Sequence, residues 1–305
     1  MRIPSRFAVA SLAVGLAAVI ATAPLRPGPS PWAMAQAQGA SGSDAPAQAD
    51  AETRQEVDAL LAAMGMDELL PIMRAEGIAY AEELGQEMFP NRAEGRWMDI
   101  ADRIYRVDRM RAVMLDGMAD GLAATDLDPL DAFFSSELGR RIVRLEVSAR
   151  EALLDESVEE ASLDALDDLR GADDPRLDVL EGFIVANDLV EMNVVGALNS
   201  NIAFYQGLQA GGAFNDALTD DQMLADVWSQ EDEIRSETLD WVYSYLGLAY
   251  QPLSDADIER YTELSLTPEG QALNTSLFAA FDTLYTTISR DLGLAAATFM
   301  AGEDI

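Results

Sequence analysis

Residues 97–122 read WMDIADRIYRVDRMRAVMLDGMADGL, and this stretch decides the fold class. Its apolar side chains recur at steps of three and four residues, which places them on one face of an α-helix. The members of this face are Trp97, Ile100, Ile104, Val107, Met110, Met114, Met118 and Leu122. The spacing predicts a helical segment that buries one side against other helices.

Helix start signals recur further along the chain. Thr219 and Gln222 have the spacing of a capping box, which predicts a second long helix through Trp228 and Leu246. Ser254 begins another helix, and Thr267 is an N-cap followed by a proline at the first helical position. Because strand patterns are nearly absent, we predict an all-α fold.

The two halves of the chain resemble each other. At an offset of 131 residues, Trp97 aligns with Trp228 and Gly139 aligns with Gly270, and the region before residue 97 aligns at an offset of 120. Coincident Trp and Gly positions at one offset indicate an internal duplication. We therefore predict a helical bundle built from two degenerate helical repeats, over 55–154 and 177–305.

An acidic connector is predicted between the repeats, over residues 155–176. Residues 155–174 hold nine acidic residues and one arginine, and a Gly-Ala-Asp-Asp-Pro sequence follows Arg170. Glycine and proline punctuate regular structure, so the second part of the connector is expected to form a boundary. The first part is compatible with a helical extension.

Composition excludes several chemistries. The 305 residues carry a net charge of −34, all 20 positive residues are arginines, and the sequence has no Lys, His or Cys. Disulfides, thiolate nucleophiles, histidine bases and lysine Schiff bases are therefore excluded. The negative charge repels phosphate backbones, which argues against a nucleic-acid partner.

The N-terminus has the pattern of an export signal. Arg2 and Arg6 precede an uncharged apolar run over residues 7–23, and Ala33-Met34-Ala35 has the small-x-small pattern of a signal peptidase site. We predict a signal peptide over 1–35 and a disordered leader over 36–54. The mature protein is then expected in the periplasm, without stable membrane insertion.

A short pattern near the end of each half resembles a known family. Residues 133–141 read FFSSELGRR, and residues 264–271 read LSLTPEGQ. These sequences are similar to the aromatic-aromatic-x-Ser-Pro-x-Gly-Gln-Lys signature of the domain of unknown function 2059 family. The resemblance implies an exported, all-helical bacterial protein without an established activity. The first copy lacks the proline and the second lacks the aromatic pair.

The same pattern predicts a packed corner between two helices. Ser136 and Thr267 are suited to cap a helix whose third residue is Gly139 or Gly270. A glycine inside a helix costs about 1 kcal/mol relative to alanine, which indicates that another backbone lies close by. The aromatic pair before Ser136 is expected to close the corner.

Acidic pairs are the candidates for catalysis. A glycoside hydrolase needs two carboxyl groups at a fixed separation across a cleft. The pairs are Asp126 with Asp128, Asp167 with Asp168, Asp220 with Asp221, and Asp255 with Asp257. In a chain with 54 acidic residues such pairs arise freely, so we interpret them as surface or helix-start charges and assign no catalytic or metal-binding residue.

Met110, Met114 and Met118 lie four residues apart on the apolar face of residues 97–122. We predict that this stripe belongs to the core. A pliable groove for apolar partners and a Cu(I) site are the alternatives.

Arginines are concentrated in the first half, at Arg92, Arg96, Arg103, Arg106, Arg109 and Arg111. Residues 177–305 contain three arginines and are strongly acidic. This asymmetry predicts that the arginines dock against the second half. An anion site is the alternative.

These observations favour binding over chemistry. We predict a non-enzymatic envelope interaction or scaffolding module, without a cofactor, whose partner is another envelope protein or an apolar segment. A carboxylate-dependent hydrolase of the glycan-cleaving type would require two carboxyl groups in a deep cleft. A carrier of apolar ligands would require a closed apolar cavity between helices.

Overall fold

The computed structural model describes residues 51–90, 94–214 and 219–302, and within these ranges it contains helices and no strand. The predicted all-α fold is confirmed. The helices are α1 (Ala51–Ala63), α2 (Met66–Met88), α3 (Glu94–Ile104), α4 (Val107–Leu122), α5 (Asp128–Phe134), α6 (Glu137–Ala152), α7 (Glu156–Ala172), α8 (Arg176–Ala186), α9 (Leu189–Ala210), α10 (Asp220–Trp228), α11 (Glu231–Tyr250), α12 (Asp255–Ser265) and α13 (Pro268–Ala301).

The predicted signal peptide lies outside the described residues, as does most of the predicted leader. The first helix begins at Ala51, within the range 36–54 that we predicted as a disordered leader. In the described part of the chain, no helix combines the length and the apolar character that a membrane span requires.

The predicted helix starts are present. The side chain of Thr219 accepts a hydrogen bond from the backbone nitrogen of Gln222, and a second capping box joins Ser254 to Asp257. Thr267 caps α13, which has a proline in its first turn. These caps satisfy backbone N–H groups that have no partner within the helix.

Residues 97–122 form two helices, whereas their spacing suggested a single one. The helix is interrupted between α3 and α4, at Tyr105 and Arg106. The ring of Tyr105 lies over Gly77 of α2, where any Cβ atom would overlap it. The apolar face continues across the break, because its members are buried apart from the partly buried Val107. The second long helix also divides, into α10 and α11.

The helices of the two halves follow one another in a similar order, as α1–α6 and α8–α13. In both halves the first two helices meet at a residue with left-handed backbone, Gly65 (φ 73°) or Asp188 (φ 47°). The duplication of the sequence stays a prediction.

Trp97 and Trp228, which the offset of 131 residues aligns, lie in different surroundings. Trp97 is 1% exposed, and its indole nitrogen donates a hydrogen bond to the carbonyl oxygen of Ala81 at 2.6 Å. Trp228 is the last residue of α10 and is 45% exposed. The difference arises because α3 packs its tryptophan against α2, whereas the end of α10 faces solvent.

Most of the acidic connector is a packed helix. Asp155 caps α7 by accepting a hydrogen bond from the backbone nitrogen of Ser157, and Leu166 is buried. Helix α7 packs against α11. The predicted boundary corresponds to the short turn over residues 173–175, before α8 begins.

The last helix, α13, lies at the centre of the molecule. It packs most extensively against α9 of the second half and next against α4 of the first half. Buried residues of both halves belong to one continuous hydrophobic core. The two predicted repeats therefore share a core, which ties their stabilities together.

The predicted corner is confirmed in both halves. The hydroxyls of Ser136 and Thr267 each accept a hydrogen bond at 3.0 Å, from the backbone nitrogens of Gly139 and Gly270 respectively. A Cβ atom at either glycine would overlap a backbone carbonyl oxygen of the preceding helix. At the first corner, the ring of Phe133 stacks on Tyr261 of α12.

We expect Gly139→Ala to lower the melting temperature. The new methyl group would overlap the carbonyl oxygen of Phe133 and lie 2.8 Å from Cα of Phe134, and backbone atoms cannot rotate away. The cost of such overpacking is about 1–3 kcal/mol and outweighs the gain in helix propensity. Gly182→Ala in α8 is the control, because its Cβ atom meets nothing within 4 Å. A melting temperature of Gly139→Ala equal to or above that of the wild type would contradict the close backbone contact.

Candidate functional site

A cleft of about 300 Å³ opens between α9 and α13. Its apolar lining includes Met192 and Val195 of α9 together with Phe278 and Phe281 of α13. This volume is at the lower end of the range of ligand sites in proteins. One side of the cleft is open to solvent, since the lining residues Thr275 and Ala279 are exposed.

Gly196 lines the cleft in the middle of α9. A Cβ atom at this position would meet nothing within 4 Å, so close packing does not require a glycine here. A glycine within a helix costs up to about 1 kcal/mol relative to alanine. Its effect in this structure is to widen the cleft by the volume of one side chain.

Two polar residues join the walls of the cleft. The amide nitrogen of Asn199 in α9 donates a hydrogen bond to Oδ1 of Asp282 in α13, at 2.8 Å. Both side chains are partly buried. The hydrogen bond fixes the position of the carboxylate beside the apolar lining.

A second group of polar side chains is buried between the halves, around Arg150 of α6. The Arg150 guanidinium donates to both carboxylate oxygens of Glu76 in α2, at 2.5 and 2.7 Å, and it lies 5.2 Å from the centre of the Trp241 ring in α11. Burial opposes the charge on Arg150, but the Glu76 carboxylate outweighs this effect and raises the pKa of Arg150. Paired and hydrogen-bonded in this way, the charge is tolerated in the interior.

Glu146 lies one turn before Arg150 and is 5% exposed. Its carboxyl oxygen accepts a hydrogen bond from the Tyr250 hydroxyl at 2.6 Å, and its backbone carbonyl accepts one from the Tyr245 hydroxyl at 3.1 Å. Burial raises the pKa of Glu146 to about 8, although the hydrogen bond from Tyr250 favours the charged form. At neutral pH this carboxyl group is therefore mainly protonated.

Glu146 and Arg150 connect α6 of the first half to α11 of the second half. Neither residue lines the cleft, and both are shielded from solvent. The geometry suits a structural contact between the halves rather than attack on a substrate. Tyr285 links the cleft to the buried group around Arg150. Its ring lines the cleft. Burial raises the pKa of its hydroxyl, and the charges of Arg150 and Glu76 also act on that pKa.

Neither the cleft nor the buried group around Arg150 was predicted from the sequence, although a signal for the buried group was present. Residues 139, 142, 143, 146, 149 and 150 form the buried face of α6, with the spacing of an amphipathic helix. Glu146 and Arg150 lie on that face, so their burial follows from the helical period. The cleft has no comparable signal except Gly196, a glycine inside a helix.

The predicted acidic pairs lie outside the cleft. Oδ1 of Asp126 accepts from the backbone nitrogen of Asp128 at 3.1 Å, and Asp255 forms an ion pair with Arg176. Asp220 and Asp221 lie in the first turn of α10, and Asp167 and Asp168 are exposed on α7. The carboxylate of Asp257 accepts a hydrogen bond from the backbone nitrogen of Ser254 in the capping box of α12. Among the described residues, no group of three or more acidic side chains is placed to hold a metal ion.

The methionine stripe belongs to the core, as predicted. Met110, Met114 and Met118 are at most 1% exposed. Their sulfur atoms therefore contact the packed interior, and the stripe offers no accessible groove.

The arginine set divides among several partners. Arg109 forms an ion pair with Asp291 of α13 at 2.6 Å, in agreement with docking onto the second half. The prediction is wrong for Arg106 and Arg111, which pair with Asp108 and with Asp58 and Asp67 of the first half. Arg103 is exposed, and Arg92 lies outside the described residues.

Comparison of the chain with family models, curated proteins and solved structures finds no match in any of the three. The similarity to the domain of unknown function 2059 family accordingly rests on the two short sequences quoted above.

We expect Glu146→Gln to flatten the pH dependence of stability. The pKa of Glu146 is about 4.3 in the unfolded chain and about 8 in the folded protein. The folded protein therefore loses stability as pH rises from about 4.3 to about 8. Glutamine is nearly isosteric, still accepts from Tyr250 and does not titrate. The free energy of unfolding of the variant, measured in urea, should therefore rise relative to that of the wild type as pH rises from 5 to 8.

Glu151→Gln is the matched control, since Glu151 is exposed on the same helix. It should leave the pH profile of the wild type unchanged. If the wild type and Glu146→Gln lose stability equally between pH 5 and 8, the buried, protonated state of Glu146 is wrong.

Proposed function

We propose that this protein is a non-enzymatic interaction module of the cell envelope, which holds an apolar segment of another envelope protein in the cleft between α9 and α13. One observation carries the proposal: the cleft has an apolar lining and a glycine, Gly196, that widens it without a packing role. Its open side suits a segment that enters laterally. The placement in the envelope rests on the predicted signal peptide over 1–35 and on the family resemblance.

The cleft favours binding over hydrolysis. Cleavage of a glycosidic bond by a carboxylate pair requires two carboxyl groups that face each other across the substrate. In the described part of the cleft there is one carboxylate, Asp282, and its Oδ1 accepts from Asn199. Glu146, which has a strongly raised pKa, lies in the interior instead.

The shape of the cleft also favours a polypeptide segment over an enclosed small molecule. A carrier surrounds its ligand, and buried sites cover most of the ligand's surface. Here two helices form the walls and one side is exposed to solvent. Amphipathic segments bind to apolar grooves of this kind through side chains spaced along one face.

We expect Gly196→Leu to weaken binding in the cleft without unfolding the protein. Leucine is a good helix former, and its Cβ atom would meet nothing within 4 Å at this position, which lines the cleft. The probe is N-phenyl-1-naphthylamine, a neutral apolar fluorophore whose emission rises in apolar surroundings. The wild type should show saturable enhancement, and Gly196→Leu should bind the probe at least about tenfold more weakly, a loss of about 1.4 kcal/mol.

Gly182→Leu is the matched control. Gly182 lies in the middle of α8, is exposed to solvent and lies outside the cleft. A Cβ atom there would meet nothing within 4 Å. This variant should bind the probe as the wild type does. Equal affinity in all three proteins, or no saturable binding to the wild type, would contradict the proposal.

A further inference from the structure

The carboxylate of Asp282 lies beside aromatic side chains. Phe278, Phe281 and Tyr285 line the cleft together with it, and the rings of Phe281 and Tyr285 are nearly parallel, at 22° and with centroids 6.1 Å apart. The faces of aromatic rings attract cations, and a carboxylate does so more strongly. This wall of the cleft therefore combines two kinds of group that favour an organic cation.

The chain itself supplies no cation to Asp282. Among the described residues, Asp282 forms no ion pair, and its side chain accepts one hydrogen bond, from the neutral amide of Asn199 to Oδ1. The next arginine along α13, Arg290, lies about 12 Å away along the helix axis and donates to Gln206 instead. Oδ2 of Asp282 is therefore left for a partner.

The surroundings reinforce the attraction. The sequence carries a net charge of −34, which raises the local concentration of cations and repels anions. A carboxylate beside apolar and aromatic side chains attracts a cation more strongly than a carboxylate surrounded by water does. Hydrophobic contact with Met192, Val195 and the phenylalanines would hold the apolar part of the same partner.

We propose that the cleft selects an apolar segment that carries a basic side chain, a lysine or an arginine, and that Asp282 receives its charge. This inference rests on the function proposed above and specifies the chemistry of the partner. Asn199 acts as a positioning residue, because its hydrogen bond fixes Oδ1 of Asp282. A segment with an acidic residue in the same place is rejected.

The test uses three helical peptides that share one leucine face and differ at a single position, which is Lys, Gln or Glu. Their affinities are measured by displacement of N-phenyl-1-naphthylamine at low ionic strength. The wild type should bind the Lys peptide about tenfold more tightly than the Gln peptide, since a hydrogen bond between two charged groups is stronger than one to a neutral amide. The Glu peptide should bind most weakly.

Two variants separate the role of Asp282 from that of the overall charge. Asp282→Asn retains an oxygen that accepts from Asn199 but removes the negative charge, so it should bind the Lys and Gln peptides equally. Asp164→Asn removes the same charge from an exposed position on α7 and should keep the tenfold preference.

The outcomes are distinct. If the wild type binds the Lys and Gln peptides equally, or if Asp282→Asn keeps the preference, the inference is overturned while the proposed cleft stands. If the fluorophore binds Gly196→Leu as well as the wild type, the proposed function itself fails. A preference that falls equally in Asp282→Asn and Asp164→Asn identifies non-specific attraction and also overturns the inference.

Discussion

Direct contact between the backbones of α9 and α13 is the constraint on which the rest of the structure depends. A Cβ atom at Gly207 would overlap the carbonyl oxygen of Arg290, and one at Gly293 would overlap that of Phe204. Glycine at both positions allows the helices to pack without intervening side chains. Where α13 meets α4, Gly117 and Gly121 of α4 instead lie against the small side chains of Ala280 and Ser276. Helix α13 is thereby held by both halves of the chain, and its position determines how they share one core.

The cleft is a consequence of that arrangement. Helices α9 and α13 run in the same direction, because residue 199 pairs with residue 282 and residue 206 pairs with residue 290. The glycine contacts lie towards the C-terminal part of the pair, whereas larger side chains such as Phe278 and Met192 lie towards its N-terminal part. Space between large side chains there, widened by Gly196, gives a binding surface that two rigid helices hold in place.

Local signals in the sequence predicted local features. Caps, the Ser136–Gly139 corner and the methionine core depend on residues within a few positions of each other, and the structure confirms them. The break at Tyr105 was missed because the apolar period continues through it. The glycine that accommodates the Tyr105 ring, Gly77, lies on another helix. The cleft could not be predicted, since it requires the pairing of α9 with α13 across more than 80 residues. Trp97 and Trp228 were aligned by residue type alone, which says nothing about burial.

Replacement of Gly293 by alanine tests the central contact most directly, with thermal unfolding as the measurement. Because the new methyl group would overlap a backbone carbonyl and lie 3.0 Å from the nitrogen of Leu208, the helices must separate. We predict that Gly293→Ala lowers the free energy of unfolding by about 1–3 kcal/mol, and the melting temperature with it. The melting temperature of Gly247→Ala should be unchanged or higher, because its Cβ atom meets nothing within 4 Å. A Gly293→Ala protein as stable as the wild type would contradict the close contact between α9 and α13.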